Sequence, residues 1–259
     1  KPLRGKRIVV TRAREQASGM TAALSALGAE VLEYPTIRVA PPADWSLLDG
    51  ALNALDDFHW LIFTSVNGVK FFFQRLFDLG LDVRSLSKVR TACIGPETAR
   101  ALKGFGLNTD ILPKSYVAEA VVEAFGAVPL ENQRVLIPRA ETARPVLPVE
   151  LRRMGARVDE IAVYRTEPVA DNPDALMDAL SRKAIDLVTF TSSSTVTNFA
   201  ALLPRDRLTE LMDGVAVACI GPITAETANN LGFTVSITAE TFTIPGLCEA
   251  VVKRLTEGS

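Results

Sequence analysis

The sequence predicts an α/β protein made of two similar doubly wound lobes, each built on a parallel sheet. The first observation is an internal repeat, in which TACIGPETAR (91–100) and VACIGPITAE (217–226) share seven of ten residues. Three further pairs recur in the same order, 127 residues apart: 8–13 with 135–140, 27–31 with 154–158, and 63–67 with 190–194. The second observation is that short apolar runs alternate with helical stretches, which is typical of βαβ units. Two copies are too few for a solenoid, so two lobes are expected.

The elements follow in order along the first half. RIVVT is a β-branched strand, and a helix from Gln16 to Leu27 ends at Gly28, a C-cap signal. The next strand, AEVLEYP, stops at Pro35. Later helices begin near Asn67, Pro96 and Val117. The remaining predicted strands are WLIFT, VRTACI and NTDIL in the first half, and RVLIP, ARVDEIAVY, DLVTFT, VAVACI and FTVSI in the second.

Two lobe partitions are compatible with these residues. One cut lies between the repeats, near Pro129–Gln133. The other uses two Pro-rich stretches at corresponding places in the repeats, VAPPAD (39–44) and TEPVADNP (166–173), as linkers. In that case residues 1–38 and 167–259 form one discontinuous lobe, and residues 39–166 form the other.

Composition excludes several classes of function. With 48% hydrophobic residues and a net charge of −2, the 259-residue chain is expected to fold and gives no electrostatic reason to bind nucleic acid. No apolar run reaches the ~20 residues that span a bilayer. The lone His59 and three cysteines without a CxxC pair argue against a metal site and a Ser-His-Asp triad. No signal peptide is visible, so a cytoplasmic location is expected.

In order and spacing, several short motifs resemble the uroporphyrinogen-III synthase family across nearly the whole chain. They are VTRA, YPTI, FTSVNGV, CIGPETA, PRAE, VYRT, FTSSSTV, CIGPITAETA and TIPGLCEAV. The resemblance implies the second partition, with the active site in a cleft between the lobes. It also implies that the protein closes hydroxymethylbilane, an octacarboxylate linear tetrapyrrole, into a macrocycle with loss of water and inversion of the last ring. It implies no cofactor and no metal, and a monomer is expected.

The strand-to-helix turns are the candidate carboxylate-binding residues, because helix N-termini favour anions. For a single turn, ordinary N-capping is an equal alternative. The candidates are Ser65, Asn67, Gly95, Thr98, Ser192, Ser193, Ser194, Gly221 and Thr224. Thr11 and the repeat partners Arg12 and Arg139 follow strands, and each arginine could clamp a carboxylate or form a salt bridge.

Tyr164, in VYRT, is the catalytic candidate. Its repeat partner is Ile37, so one copy has a hydroxyl where the other is aliphatic. A phenol stays protonated at neutral pH and can donate to a leaving hydroxyl. The resemblance points to the same residue, although an aromatic packed for area is the alternative.

Two other interpretations remain open at this stage. Two α/β lobes around a cleft also describe a non-catalytic small-molecule sensor. The opening KPLRGKRIVVTRAREQAS, which lacks Met, resembles the junction at which this synthase is fused behind a uroporphyrinogen methyltransferase. A fused or associated methyltransferase is therefore a possible partner.

Overall fold

The structure is a computed structural model that describes residues 1–169 and 173–257. Its strands are β1 (Arg7–Val10), β2 (Glu30–Glu33), β3 (Ile37–Ala40), β4 (Trp60–Phe63), β5 (Arg90–Cys93), β6 (Arg134–Ala140), β7 (Arg157–Pro168), β8 (Leu187–Phe190), β9 (Ala216–Cys219) and β10 (Val235–Thr238). Its α-helices are α1 (Arg14–Ala26), α2 (Ser46–Asn53), α3 (Val66–Asp78), α4 (Pro96–Gly104), α5 (Ala118–Ala124), α6 (Val146–Arg153), α7 (Pro173–Ser181), α8 (Ser193–Ala201), α9 (Leu208–Met212), α10 (Pro222–Asn230) and α11 (Ile244–Glu257).

Two five-stranded sheets organise these elements. The first has the order β10-β9-β8-β1-β2 and the second the order β3-β7-β6-β4-β5. Adjacent strands run parallel from β10 to β2, and likewise from β5 to β7. The chain divides into two compact units, Lys1–Val39 with Glu167–Ser259, and Ala40–Thr166. The predicted fold class, α/β with two parallel-dominated sheets, is confirmed.

Each sheet combines strands from both copies of the repeat. In the first sheet, β1 and β2 come from the first copy and β8, β9 and β10 from the second. In the second sheet, β4 and β5 come from the first copy and β6 and β7 from the second. Because β1 corresponds to β6, β8 to β4 and β9 to β5 in the repeat, both sheets place equivalent strands in the same order.

Alternating side chains of the first sheet fill two separate cores, as a doubly wound sheet requires. Val9 packs on one face with Phe190 and Phe199. Its neighbours Ile8 and Val10 pack on the opposite face, against Met20 of α1 and the residues of α11. The second sheet has a comparable core, in which Trp60, Ile62, Val135 and Ile137 meet residues of α5 and α6.

Predicted boundaries mostly agree with the structure, and two differ. Helix α1 ends where expected, and Gly28 adopts the left-handed φ of +101° that favours glycine after a helix. The run NTDIL forms no strand and contributes one isolated bridge between Ile111 and Ala92. Parts of both predicted linkers are strand, because β3 and β7 are neighbours in the second sheet and share a ladder. Residues 170–172 of the second linker lie outside the described residues.

Across the described ranges 1–169 and 173–257, no helix combines the length and apolar character needed to span a bilayer.

Candidate active site

Tyr164 lies at the carboxyl edge of the second sheet and contacts the start of α3. Its hydroxyl is 3.1 Å from Oγ of Ser65, the N-cap residue of that helix. Ser65 follows β4, and its Oγ also accepts the Gly68 N–H at 2.9 Å. Adjacent strands β4 and β6 lead to connections on opposite sides of the sheet, and such a switch point is where doubly wound sheets bind ligands.

A β-bulge sets the direction of the Tyr164 side chain. Arg139 pairs with Ala162, but the next residue, Ala140, pairs with Tyr164, so Val163 is an extra residue in β7. Both Val163 and Tyr164 are buried. Bulges commonly re-aim a side chain beside a functional site, and here the bulge turns the phenol toward Ser65.

The surroundings of the phenol keep it protonated. Tyr164 is 9% exposed, and its ring stacks on Phe71 of α3 with centroids 5.9 Å apart. Burial raises the pKa of Tyr164 above its ordinary value of 10.0, whereas the Ser65 hydrogen bond and the Arg139 charge act in the opposite direction. At neutral pH the group is therefore a proton donor.

A close backbone approach fixes the start of α3 against β6. A Cβ on Gly68 would lie 2.9 Å from the carbonyl oxygen of Pro138 and 3.3 Å from Oγ of Ser65. Only glycine allows this approach without a shift of the helix. The position of Ser65 under Tyr164 therefore depends on the absence of a side chain at residue 68.

Arg139 is placed differently from the expected carboxylate clamp. It is 7% exposed, and its Nη atoms already bind Glu160 at 3.1 Å and the carbonyl of Arg144 at 2.6 Å. Its Nε is buried without a hydrogen-bond partner. Desolvation by burial lowers the pKa of Arg139, although the nearby Glu160 opposes that change. Both Nη atoms of Arg139 therefore already have partners within the protein.

Thr11 is a structural hydroxyl in the first unit. It follows β1, is fully buried, and donates to the carbonyl of Thr189 at 2.7 Å. Thr36 donates in turn to the Thr11 carbonyl. The neighbouring Arg12 is half-buried, and its Nε donates to Gln16 at 3.2 Å within the first turns of α1.

The serine turns cap their own helices. Ser192 and Thr195 form a capping box at the start of α8, and Ser192 Oγ is 2.9 Å from Ser194 Oγ. Ser193 bonds the Thr227 hydroxyl of α10 at 2.7 Å. Asn67 is half-buried in the first turn of α3. Ordinary N-capping and contacts between helices therefore account for the hydrogen bonds of these serine hydroxyls.

The two Cys-Ile-Gly-Pro turns differ from the serine turns. Gly95 and Gly221 are the N-cap residues of α4 and α10, and neither has a side chain to cap the first-turn N–H groups. A Cβ on Gly95 would lie 3.2 Å from the ring of Tyr116, and one on Gly221 would lie 3.2 Å from the ring of Phe242. An aromatic ring therefore lies against each glycine at the start of its helix. The predicted Thr98 and Thr224 are buried in the first turns of the same helices.

Sequence reasoning missed three aromatic residues of these sites. Tyr116 and Phe242 are 126 residues apart, the same spacing as the two Cys-Ile-Gly-Pro turns, so the repeat itself carried that signal. Phe71 belongs to the run FFF, whose apolar character predicts burial but not a contact with Tyr164.

No potential metal cluster of three or more His, Cys, Asp or Glu occurs among the residues that the structure describes. A depression of about 350 Å³ between β10 and α11 is lined by residues such as Thr238, Glu249 and Lys253, and by none of the predicted site residues. It has no part in the candidate site.

Comparison with known proteins gives a consistent result. A family model described as "Uroporphyrinogen-III synthase HemD" matches residues 18–249. A uroporphyrinogen-III synthase of Synechococcus elongatus is 38% identical over 256 residues, covering 96% of both chains. The porphyrin biosynthesis protein HemD of Ruminiclostridium josui is 33% identical, and the match covers 98% of this chain and 49% of that protein. A crystal structure of a mutant uroporphyrinogen III synthase from the bacterium Thermus thermophilus has a TM-score of 0.69 at 20% identity, covering 98% of this chain and 100% of that one.

Proposed function

The chain belongs to the uroporphyrinogen-III synthase family, and we propose that it converts hydroxymethylbilane into uroporphyrinogen III. The reaction is that of a cyclising hydro-lyase: one water is lost, the macrocycle closes, and the last pyrrole ring is inverted. The observation that carries the proposal is the protonated Tyr164 hydroxyl, held 3.1 Å from Ser65 at the carboxyl edge of a doubly wound sheet.

Tyr164 acts as the general acid. Its O–H donates a proton to the hydroxyl on the terminal hydroxymethyl carbon, the C–O bond breaks with its electron pair on oxygen, and water leaves. A cationic azafulvene forms on the substrate, and a phenolate remains on Tyr164. The proton that the substrate carbon loses on ring closure restores the phenol. General-acid help of this kind contributes roughly 10²–10⁴-fold, and the rest of the rate comes from positioning the bilane.

The starts of α4 and α10 bind substrate carboxylates in this proposal. Their glycine N-caps leave first-turn N–H groups without a side-chain cap, and the positive end of a helix dipole favours an anion there. Arg12 also binds a substrate carboxylate in this proposal, whereas Arg139 does not.

The proposed organisation follows the compact units. Lys1–Val39 with Glu167–Ser259 forms one lobe and Ala40–Thr166 the other. The chain passes between them in β3 and β7. The expected location of the reaction is the cytoplasm.

The test supplies hydroxymethylbilane to the purified protein and identifies the macrocyclic product. The expected product is the inverted isomer III, formed faster than spontaneous closure. Formation of isomer I alone at the rate of the protein-free control would contradict the enzyme assignment and favour a ligand sensor.

The role of Tyr164 is tested with Tyr164→Phe, which keeps the ring stacked on Phe71 but removes the proton donor. The rate is expected to fall roughly 10²-fold without reaching zero, because the bilane ionises by itself. Tyr34→Phe is the control, since the Tyr34 ring packs against the core of the first sheet, and it should keep the full rate. An undiminished rate in Tyr164→Phe would exclude the general-acid role.

A further inference from the structure

The hydroxyl of Ser65 makes two close polar contacts, one with a backbone N–H and one with the Tyr164 hydroxyl. Its Oγ accepts the Gly68 N–H at 2.9 Å, which uses one lone pair. Its other close contact is the Tyr164 hydroxyl at 3.1 Å. While the phenol is neutral, either hydroxyl can donate across the 3.1 Å contact. Once Tyr164 is ionised it has no proton to give, and only the Ser65 O–H can donate there.

This arrangement suits a phenolate better than a phenol. A hydrogen bond from a neutral hydroxyl to an anionic oxygen is shorter and stronger than one to a neutral oxygen. The N–H of Gly68, at the positive end of α3, polarises the Ser65 hydroxyl in the same direction. When the phenolate forms, two aligned hydrogen bonds therefore lead from the Gly68 N–H through Ser65 to the Tyr164 oxygen.

We propose that Ser65 is a positioning residue for Tyr164, donating its hydroxyl proton to the phenolate that forms when Tyr164 protonates the leaving group. Ser65 thus acts through Tyr164 and is not a ligand of a substrate carboxylate. This inference rests on the proposed function in one respect, namely that the group protonated by Tyr164 is the leaving hydroxyl of the substrate. The effect of Ser65 on the ionisation of Tyr164 does not depend on that function.

The charged groups around the phenol support the same direction. Arg139 on β6 is the charge that favours the ionised form of Tyr164. Glu160 does not oppose it, because its carboxylate is shared between Arg139 at 3.1 Å and Arg152 at 2.9 Å. Phe71 covers the ring and contributes no charge.

Three substitutions at residue 65 separate capping from proton donation. Ser65→Gly loses the hydroxyl but keeps most of the N-cap preference. Ser65→Asp keeps a strong N-cap acceptor, yet cannot donate and adds a negative charge beside the phenol. Ser65→Thr keeps both functions. A purely structural role predicts that Ser65→Gly and Ser65→Thr behave like the parent protein, whereas the added charge alone would already shift the ionisation of the phenol in Ser65→Asp.

The first readout needs no substrate. Fluorotyrosine is incorporated, which lowers the pH at which the phenol ionises, and fluorine NMR follows each of the three tyrosines against pH. The Tyr164 signal is assigned by its loss in Tyr164→Phe. We expect the phenol to ionise at higher pH in Ser65→Gly and Ser65→Asp, and at the original pH in Ser65→Thr. An unchanged titration in a folded Ser65→Gly protein would overturn the proposal.

The second readout is the split between kcat and KM. Loss of the donor is expected to lower kcat on the order of tenfold in Ser65→Gly, with KM unchanged, because the bond strengthens only as the phenolate develops. Combining Ser65→Gly with Tyr164→Phe should add little further loss, since both act on one group. A raised KM with unchanged kcat would identify Ser65 as a substrate ligand instead. A protein that makes no isomer III at all contradicts the proposed function, while the NMR titration still decides the role of Ser65.

Discussion

The close approach at Gly68 gives the sharpest stability prediction. In Gly68→Ala the new Cβ would lie 2.9 Å from the Pro138 carbonyl oxygen, shorter than real Cβ contacts allow. The obstacle is backbone in the middle of β6, so it cannot rotate away as a side chain would. Helix α3 must shift, and a second contact at 3.3 Å means that Ser65 must move with it.

Two opposing terms set the magnitude. Overpacking by one methyl group costs about 1–3 kcal/mol. Alanine gains up to about 1 kcal/mol over glycine in a helix. The net expectation for Gly68→Ala is destabilisation by about 1–2 kcal/mol.

Gly50→Ala is the matched control. Gly50 lies in α2 of the same unit, and nothing stands within 4 Å of the Cβ that would be added there. Only the helix-propensity gain applies, so this variant is expected to be more stable than the parent by up to about 1 kcal/mol.

Urea unfolding, followed by circular dichroism, measures the free energy of unfolding of the three proteins. The two variants should differ by about 2 kcal/mol, which corresponds to roughly 30-fold in the folding equilibrium. Because the shift moves Ser65 away from Tyr164, synthase activity should also fall in Gly68→Ala alone. A Gly68→Ala protein as stable as Gly50→Ala would refute the close approach between α3 and β6.

Three other predictions follow from buried groups. Thr11→Val removes the 2.7 Å hydrogen bond to the Thr189 carbonyl and should lower the free energy of unfolding by about 1–2 kcal/mol, measured by urea unfolding. The reaction rate should stay unchanged in the synthase assay. Arg139→Gln breaks a largely buried ion pair and should lower the free energy of unfolding by roughly 3 kcal/mol in the same measurement, with KM unchanged. A large rise in KM would instead support Arg139 as a ligand of a substrate carboxylate. Burial raises the pKa of the Cys93 thiol from 9.0 to about 11, so the folded state holds this proton more tightly than the unfolded state. The stabilising contribution of the protonated thiol is complete below about pH 9 and is lost as the pH rises through about 11. Between these pH values, the urea concentration at the unfolding midpoint should therefore fall less steeply with pH in Cys93→Ala than in the parent protein. Equal slopes would argue against a buried, protonated thiol.

Much of the fold was predictable because local signals and repetition agree in this chain. The short runs that became β1, β4, β8 and β9 have the apolar character of buried parallel strands, and Gly28 marked the end of α1. The repeat indicated two similar α/β lobes before any contact was known. The prediction of a strand at NTDIL was wrong: its first three residues are polar, and Ile111 alone bridges β5.

The site was less predictable, since a side chain's partner depends on distant residues. Tyr164 stood out from the sequence because its repeat partner is aliphatic. The turn at Ser65 was also visible, but its contact with Tyr164 joins residues 99 positions apart. Arg139 and Arg12 both follow strands in the repeat, and only the structure shows that Arg139 is buried against Glu160 while Arg12 is half-buried at the start of α1.

The sequence by itself determined the duplicated α/β architecture, the family, and the strand-to-helix turns where a ligand is expected. These are local or repeated features, and hydrophobic periodicity and turn chemistry are read over a few residues. Only the tertiary structure decided which turns cap themselves and which remain uncapped, how one extra residue in β7 turns Tyr164 toward Ser65, and why residue 68 must be glycine. Those outcomes depend on the register between strands and the separation of packed backbones, which no local pattern in the sequence encodes.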